Sequence, residues 1–138
     1  MRYKDLIRGA LYGVAIGDAL GAPLEFMSRD AIKAKYGTVT EMQTGGWLNV
    51  EKGEVTDDTQ MALAVAQGIV ESPENPVPAI GKRFIVWAES KPKDIGGICA
   101  ASIRLASSHS SEPDETVWLN ARSKLRRTKM AIAVVMAP

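Results

Sequence analysis

The sequence holds one cysteine, Cys99, and one histidine, His109. One thiol cannot form an internal disulfide, which fits a reducing compartment. Nor can this pair complete a zinc site, since no other histidine or cysteine exists to join it. Neither sign of charge dominates: 17 Lys and Arg stand against 16 Asp and Glu, a formal net charge of +1. Bulk electrostatics therefore argue against a nucleic-acid or membrane partner. The longest apolar stretch, Gly9 to Leu24, is interrupted by Asp18 and is too short to span a bilayer. The charged opening Met1-Arg2-Tyr3-Lys4-Asp5 leads straight into a patterned helix and has no secretory character, so the expected location is cytoplasmic. No strand pattern of any length, no internal repeat and no low-complexity tract is visible, which leaves a mostly helical class. At 138 residues, 46% hydrophobic and 24% charged, the chain fits a single soluble globular domain over 1–138.

Helical periodicity runs from about Lys4 to Leu20, with Leu6, Ala10, Val14 and Leu20 near one face. Gly13, Gly17 and Gly21 recur every four residues along it, a stripe without side chains that predicts close approach by another helix or a ligand. Ala22-Pro23 weakens the helix. Ser28-Arg29-Asp30 predicts a cap for a short helix, Ala31 to Tyr36, ended by Gly37. Thr38 to Met42 reads as a short extended piece, and Gln43 to Glu54 as a loop punctuated by Gly45-Gly46 and Gly53. Asp57 or Asp58 opens a helix that is apolar at most positions through Val70 and is expected to be nearly fully buried. Two more helices are predicted, Val77 to Ala88 and Ile95 to Ser107, with Lys91-Pro92 as the break. Beyond Glu115 come a basic run, Arg122 to Lys129, read as a solvated face, and an apolar tail.

The chemistry-bearing run is Thr56-Asp57-Asp58-Thr59. Such a run caps a helix readily: Asp57 with Gln60 resembles a capping box, and Asp58 suits the helix dipole. Two adjacent aspartates where one cap suffices also place excess negative charge at the mouth of an apolar helix. A hard divalent cation, which takes carboxylate and hydroxyl oxygens, would neutralise it. Glu25, at the proline bend between Leu24 and Phe26, is either an exposed helix-end glutamate or a carboxylate held in an apolar rim as a general acid or base. Asp18 reads as a hydrogen-bonded structural acid. His109, in a run of serines, has nothing specific to make it catalytic, and Trp47, Trp87 and Trp118 read as packing residues.

Two segments carry a resemblance. Arg8-Gly9-Ala10-Leu11-Tyr12-Gly13-Val14-Ala15-Ile16-Gly17-Asp18-Ala19-Leu20-Gly21-Ala22-Pro23-Leu24-Glu25-Phe26 resembles the opening helix and bend of the ADP-ribosylglycohydrolase family, which includes the dinitrogenase reductase activating glycohydrolase. Gly53-Glu54-Val55-Thr56-Asp57-Asp58-Thr59-Gln60-Met61 resembles a second motif of that family, with a Gly-Gly loop between the two; the similarity runs from about Asp5 to Ser111. The resemblance implies an all-α, compact orthogonal helical domain, of which this chain is the amino-terminal part. It implies two Mg²⁺ or Mn²⁺ ions and hydrolysis of the bond joining ADP-ribose to a protein side chain, often arginine. By position, Thr56, Asp57 and Asp58 match the first group of metal ligands and Glu25 the acidic residue tied to catalysis or gating.

The family's second ligand group, of Asp-x-Asp-Ser/Thr type, has no counterpart in this sequence, nor does its Gly-Asn-Gly run. The chain therefore reads as truncated, and the match fades into the divergent segment 115–138. An alternative to an enzyme is an inactive fragment acting at most as a metal- or ADP-ribose-binding or interaction module. Expected partners are an ADP-ribosylated protein or a small ADP-ribose conjugate. The apolar faces also predict self-association or a complementing chain.

Overall fold

A computed structural model describes residues 2–127, with side chains described through Ala121. All regular structure in it is helical, as the sequence predicts: α1 (Tyr3–Gly21), a 3-10 turn (Ala22–Leu24), α2 (Arg29–Tyr36), α3 (Asp57–Glu71), α4 (Pro76–Glu89), α5 (Gly97–Ser107) and α6 (Glu115–Arg127). No described helix is long and apolar enough to cross a membrane. Residue contacts divide the chain into two units, Met1–Ala62 and Leu63–Pro138.

In the first unit α1 ends at Gly21, two residues before Pro23, whose ring and missing N–H stop the α-helical ladder and tighten the chain into the 3-10 turn. Ser28 then caps α2, accepting the Ala31 N–H at 3.2 Å, and Gly37 closes it at φ +66°. Thr38 to Met42 forms no strand. The only pairing among the described residues is the isolated bridge between Gly45 and Val50, two backbone bonds of 2.8 Å that pinch the loop into a tight turn. That turn seats on the proline bend. Ala22, Leu48 and Val50 form one buried cluster, and a Cβ on Gly46 would lie 2.8 Å from the Pro23 backbone. At φ +72° and in that contact, position 46 takes only glycine.

No described helix closes on the glycine stripe of α1. Cβ atoms built on Gly9, Gly13, Gly17 and Gly21 would meet nothing within 4 Å among the described residues. The exposed apolar side chains of this helix include Leu6, Ile7 and Ile16.

In the second unit α4 begins on Pro76, where the missing N–H leaves no helix bond unmade. Glycines bring backbones together: a Cβ on Gly68 of α3 would lie under 3 Å from Ile80, and one on Gly81 would lie 2.8 Å from Pro113. Phe84, Ile85, Ile103, Ala106 and Ala121 are buried, and Phe84 meets Trp118 edge-on at 6.3 Å. The expected near-complete burial of α3 is not found. Ala64 and Gly68 are buried, but Leu63, Ile69 and Val70 are exposed, Val70 at 79%. Apolar composition marked this helix as one that could be buried all round, but the described neighbours cover one side only. The segment after Glu115, for which no helix was expected, forms α6, its first turn capped by Asp114 accepting the Val117 N–H at 3.0 Å. Residues 128–138, the end of the basic run and the apolar tail, lie outside the described residues.

Candidate active site

The first unit holds the candidate residues, and Asp18 organises them. Its carboxylate, on the last turn of α1, accepts four hydrogen bonds, two from Thr56 just before α3 and two from Thr59 in its first turn. The donors are the Thr56 N–H at 2.8 Å, the Thr56 hydroxyl at 2.7 Å, the Thr59 N–H at 3.2 Å and the Thr59 hydroxyl. The first amides of an α-helix have no partner within it, and here a carboxylate from another helix takes one of them. The structure gives the Thr59 amide to Asp18, 41 residues upstream. Burial alone would push the Asp18 carboxyl up. The hydrogen bonds, led by the Thr59 hydroxyl, together outweigh it and hold the carboxyl below its ordinary value.

The tether fixes Thr56 in a useful way. Its carbonyl accepts the Gln60 N–H at 3.1 Å, and its hydroxyl proton goes to Asp18. A hydroxyl has one proton and two lone pairs, so a threonine committed as donor on one side can offer oxygen to a cation on another. Asp57 and Asp58 follow as the first two residues of α3, Asp57 half-buried and Asp58 exposed. The Asp58 carboxyl is raised, first by partial desolvation and then by the negative charges of Asp57, Asp18 and Glu25. Thr56, Asp57 and Asp58 thus form an oxygen-rich corner, and its donor chemistry suits a hard divalent cation. No group of three or more acidic, histidine or cysteine side chains that could hold a metal is present among the described residues, so the corner offers part of a coordination shell.

Glu25 sits just past the 3-10 turn, exposed rather than enclosed. Its Oε2 accepts the Trp47 indole N–H at 2.7 Å. Trp47, read from sequence as a packing residue, is 53% exposed and meets Phe26 at 5.3 Å between ring centroids, so it belongs to the site's surroundings instead. In the sequence Phe26 figures only as an apolar neighbour of Glu25 and as the end of the first motif. His109 is exposed and its Nδ1 lies 2.8 Å from the Leu105 carbonyl at the end of α5, a helix-terminus contact. Trp118 does pack, against Phe84.

The family model for ADP-ribosylglycohydrolase matches residues 1–137. The chain belongs to the ADP-ribosylglycohydrolase family. Among curated relatives of this ADP-ribosylglycohydrolase-family chain, the ADP-ribosyl-[dinitrogen reductase] glycohydrolase of Rhodospirillum rubrum is 41% identical over 100 residues, which cover 72% of this chain and 34% of the relative. The ADP-ribosylarginine hydrolase Tri1 of Serratia proteamaculans is 35% identical over 95 residues, covering 69% of this chain and 25% of the relative. A putative ADP-ribosyl glycohydrolase of Acanthamoeba polyphaga mimivirus is 29% identical over 100 residues. The chain thus spans about a third or less of the length of the first two relatives.

Proposed function

We propose that this ADP-ribosylglycohydrolase-family protein removes ADP-ribose from a modified protein side chain of arginine type, using two divalent cations, Mg²⁺ or Mn²⁺. The observation that supports this reading is the Asp18 tether, which fixes Thr56 and the start of α3, where Asp58 lies within electrostatic reach of Glu25. Thr56, Asp57 and Asp58 would hold the cation from one side, with Asp18 turning the Thr56 hydroxyl so that its lone pairs are available. When bound, the metal supplies electrostatic stabilisation and a template for the substrate's ribose oxygens.

Glu25 acts as the proton carrier. A water oxygen bonds to the anomeric carbon of the ribose as the carbon–nitrogen bond to the side chain breaks. The water's proton passes to Glu25 and then to the departing nitrogen, leaving free ADP-ribose and an unmodified side chain. The names of the Rhodospirillum and Serratia relatives support this class of substrate.

A second reading, a non-catalytic module that binds metal or ADP-ribose, draws on the incomplete donor set among the described residues. One experiment separates the two. Release of ADP-ribose from an ADP-ribosylated arginine substrate is measured with Mg²⁺ or Mn²⁺ for the wild type and for Asp57→Asn, with metal binding followed by calorimetry. The hydrolase reading expects wild-type turnover that falls at least tenfold in the variant, together with loss of binding heat. Binding heat without turnover assigns the module. Neither heat nor turnover above the buffer rate removes the metal site from both readings.

A further inference from the structure

We propose that the exposed Phe26–Trp47 pair, edged by the Glu25 carboxylate, is a seat for a guanidinium group. Three independent features of the first unit lead there.

The first is exposure. Phe26 is 81% exposed and Trp47 53%, and the two rings meet edge to face at an interplanar angle of 64°. Two large aromatic rings left in water forgo most of the stabilisation their burial would bring.

The second is backbone geometry. Phe26 lies at φ +61°, in the left-handed region that a bulky non-glycine residue rarely enters. The bend is held on either side by the bonds Glu25 N–H to Ala22 O, at 3.4 Å, and Met27 N–H to Leu24 O, at 3.0 Å. Trp47 is placed by the Gly45–Val50 bridge and by Gly46 lying on Pro23. Local strain and a packed turn therefore act together to present both rings rather than to hide them.

The third is charge. The Trp47 indole binds only the Oε2 atom of Glu25, and Oε1 has no hydrogen-bond partner among the described residues. Asp58 adds its negative charge within electrostatic reach of the same carboxylate. A flat cation matches this surface: its face stacks on a ring while its N–H edge meets a carboxylate. An ammonium would gain the charge without the stacking. A neutral nucleobase would gain the stacking without the charge, and a phosphate would be repelled.

That the guanidinium belongs to the acceptor arginine of the substrate rests on the proposed hydrolase function. The seat itself does not. The three tryptophan indole N–H resonances of the full chain can be followed by NMR, with Trp47 assigned through Trp47→Phe. The probes are N-acetyl-arginine amide, N-acetyl-lysine amide and adenosine, without metal. The expected result is a saturable shift of the Trp47 resonance with the arginine compound, weaker with the lysine compound, and no shift at Trp87 or Trp118. Phe26→Ala should weaken the arginine affinity about two- to fivefold and Phe26→Tyr should keep it. Absence of a wild-type Trp47 shift overturns the proposal, whatever the variants do, and so does adenosine acting at lower concentration than the arginine compound. The titration involves neither metal nor hydrolysis, so an inactive chain with a working seat sinks the hydrolase reading alone, and an active chain with no shift sinks the seat alone.

Discussion

The first unit joins its helices through a charge, the second through methyl groups and glycines. In the first, one carboxylate on α1 takes four bonds from Thr56 and Thr59, and the buried apolar cluster beside it is small: Ala22, Leu48 and Val50. In the second, Phe84, Ile85, Ile103, Ala106 and Ala121 are buried, α3 meets α4 through Gly68, and α4 meets the Pro113 connection through Gly81. The contrast separates two jobs. Apolar packing is tolerant of small shifts and holds helices by area removed from water. A multiply bonded carboxylate fixes one geometry and fails when that geometry is lost, which suits residues whose side chains must face one point.

The largest expected effect comes from removing the charge. Asp18→Ala leaves the amides and hydroxyls of Thr56 and Thr59 without this acceptor and should lower stability by roughly 2–4 kcal/mol. Hydrogen exchange read residue by residue should place that loss in the first unit. A loss spread evenly over both units, or none at all, would break the comparison. Second comes the glycine contact of the other unit. Gly68→Ala drives a methyl into the Ile80 backbone and should cost about 1–3 kcal/mol in urea denaturation. An unchanged midpoint would mean that α3 and α4 shift apart freely.

The smallest effect is a pair of opposite pH dependences. The folded Asp18 carboxyl lies below its ordinary value of 3.8, so its stabilisation is present above that pH and is lost as pH falls through the folded value. The gap between wild type and Asp18→Ala should therefore narrow below pH 3.8. Asp58 is raised above the same ordinary value, so its folded form retains a proton longer and loses that advantage as pH rises through the window just above 3.8. Wild type should fall behind Asp58→Asn across that window, and the two slopes measured by acid-range denaturation should have opposite sign. Parallel slopes would show that the corner carries no excess negative charge.

The residues that spoke plainly in the sequence were those whose physics is local. Ser28 caps α2 through its hydroxyl, while Gly37 ends it, Pro76 starts α4 and Pro23 stops α1, each through its own backbone constraint. The run Thr56-Asp57-Asp58 likewise declared itself, because adjacent acids at a helix start are visible without a fold. What stayed hidden depends on distant partners. Asp18 was legible as a bonded acid, but its partners lie 38 and 41 residues away. The side of α3 left uncovered at Leu63 and Val70 cannot be read from composition, since a buried and a half-covered helix can share one sequence. Trp47 went astray for a similar reason: aromatic rings favour burial on average, and here a glycine turn and a strained neighbour override the average.

The borrowed cap has a consequence for anyone who would excise the acidic segment. A synthetic peptide starting at Val55 would carry Thr56, Asp57 and Asp58 in the right order, yet its opening turn should fray, because the oxygen that its Thr59 amide needs was left behind on another stretch of chain. The linear order of acids is only half of the blueprint, and α1 supplies the other half.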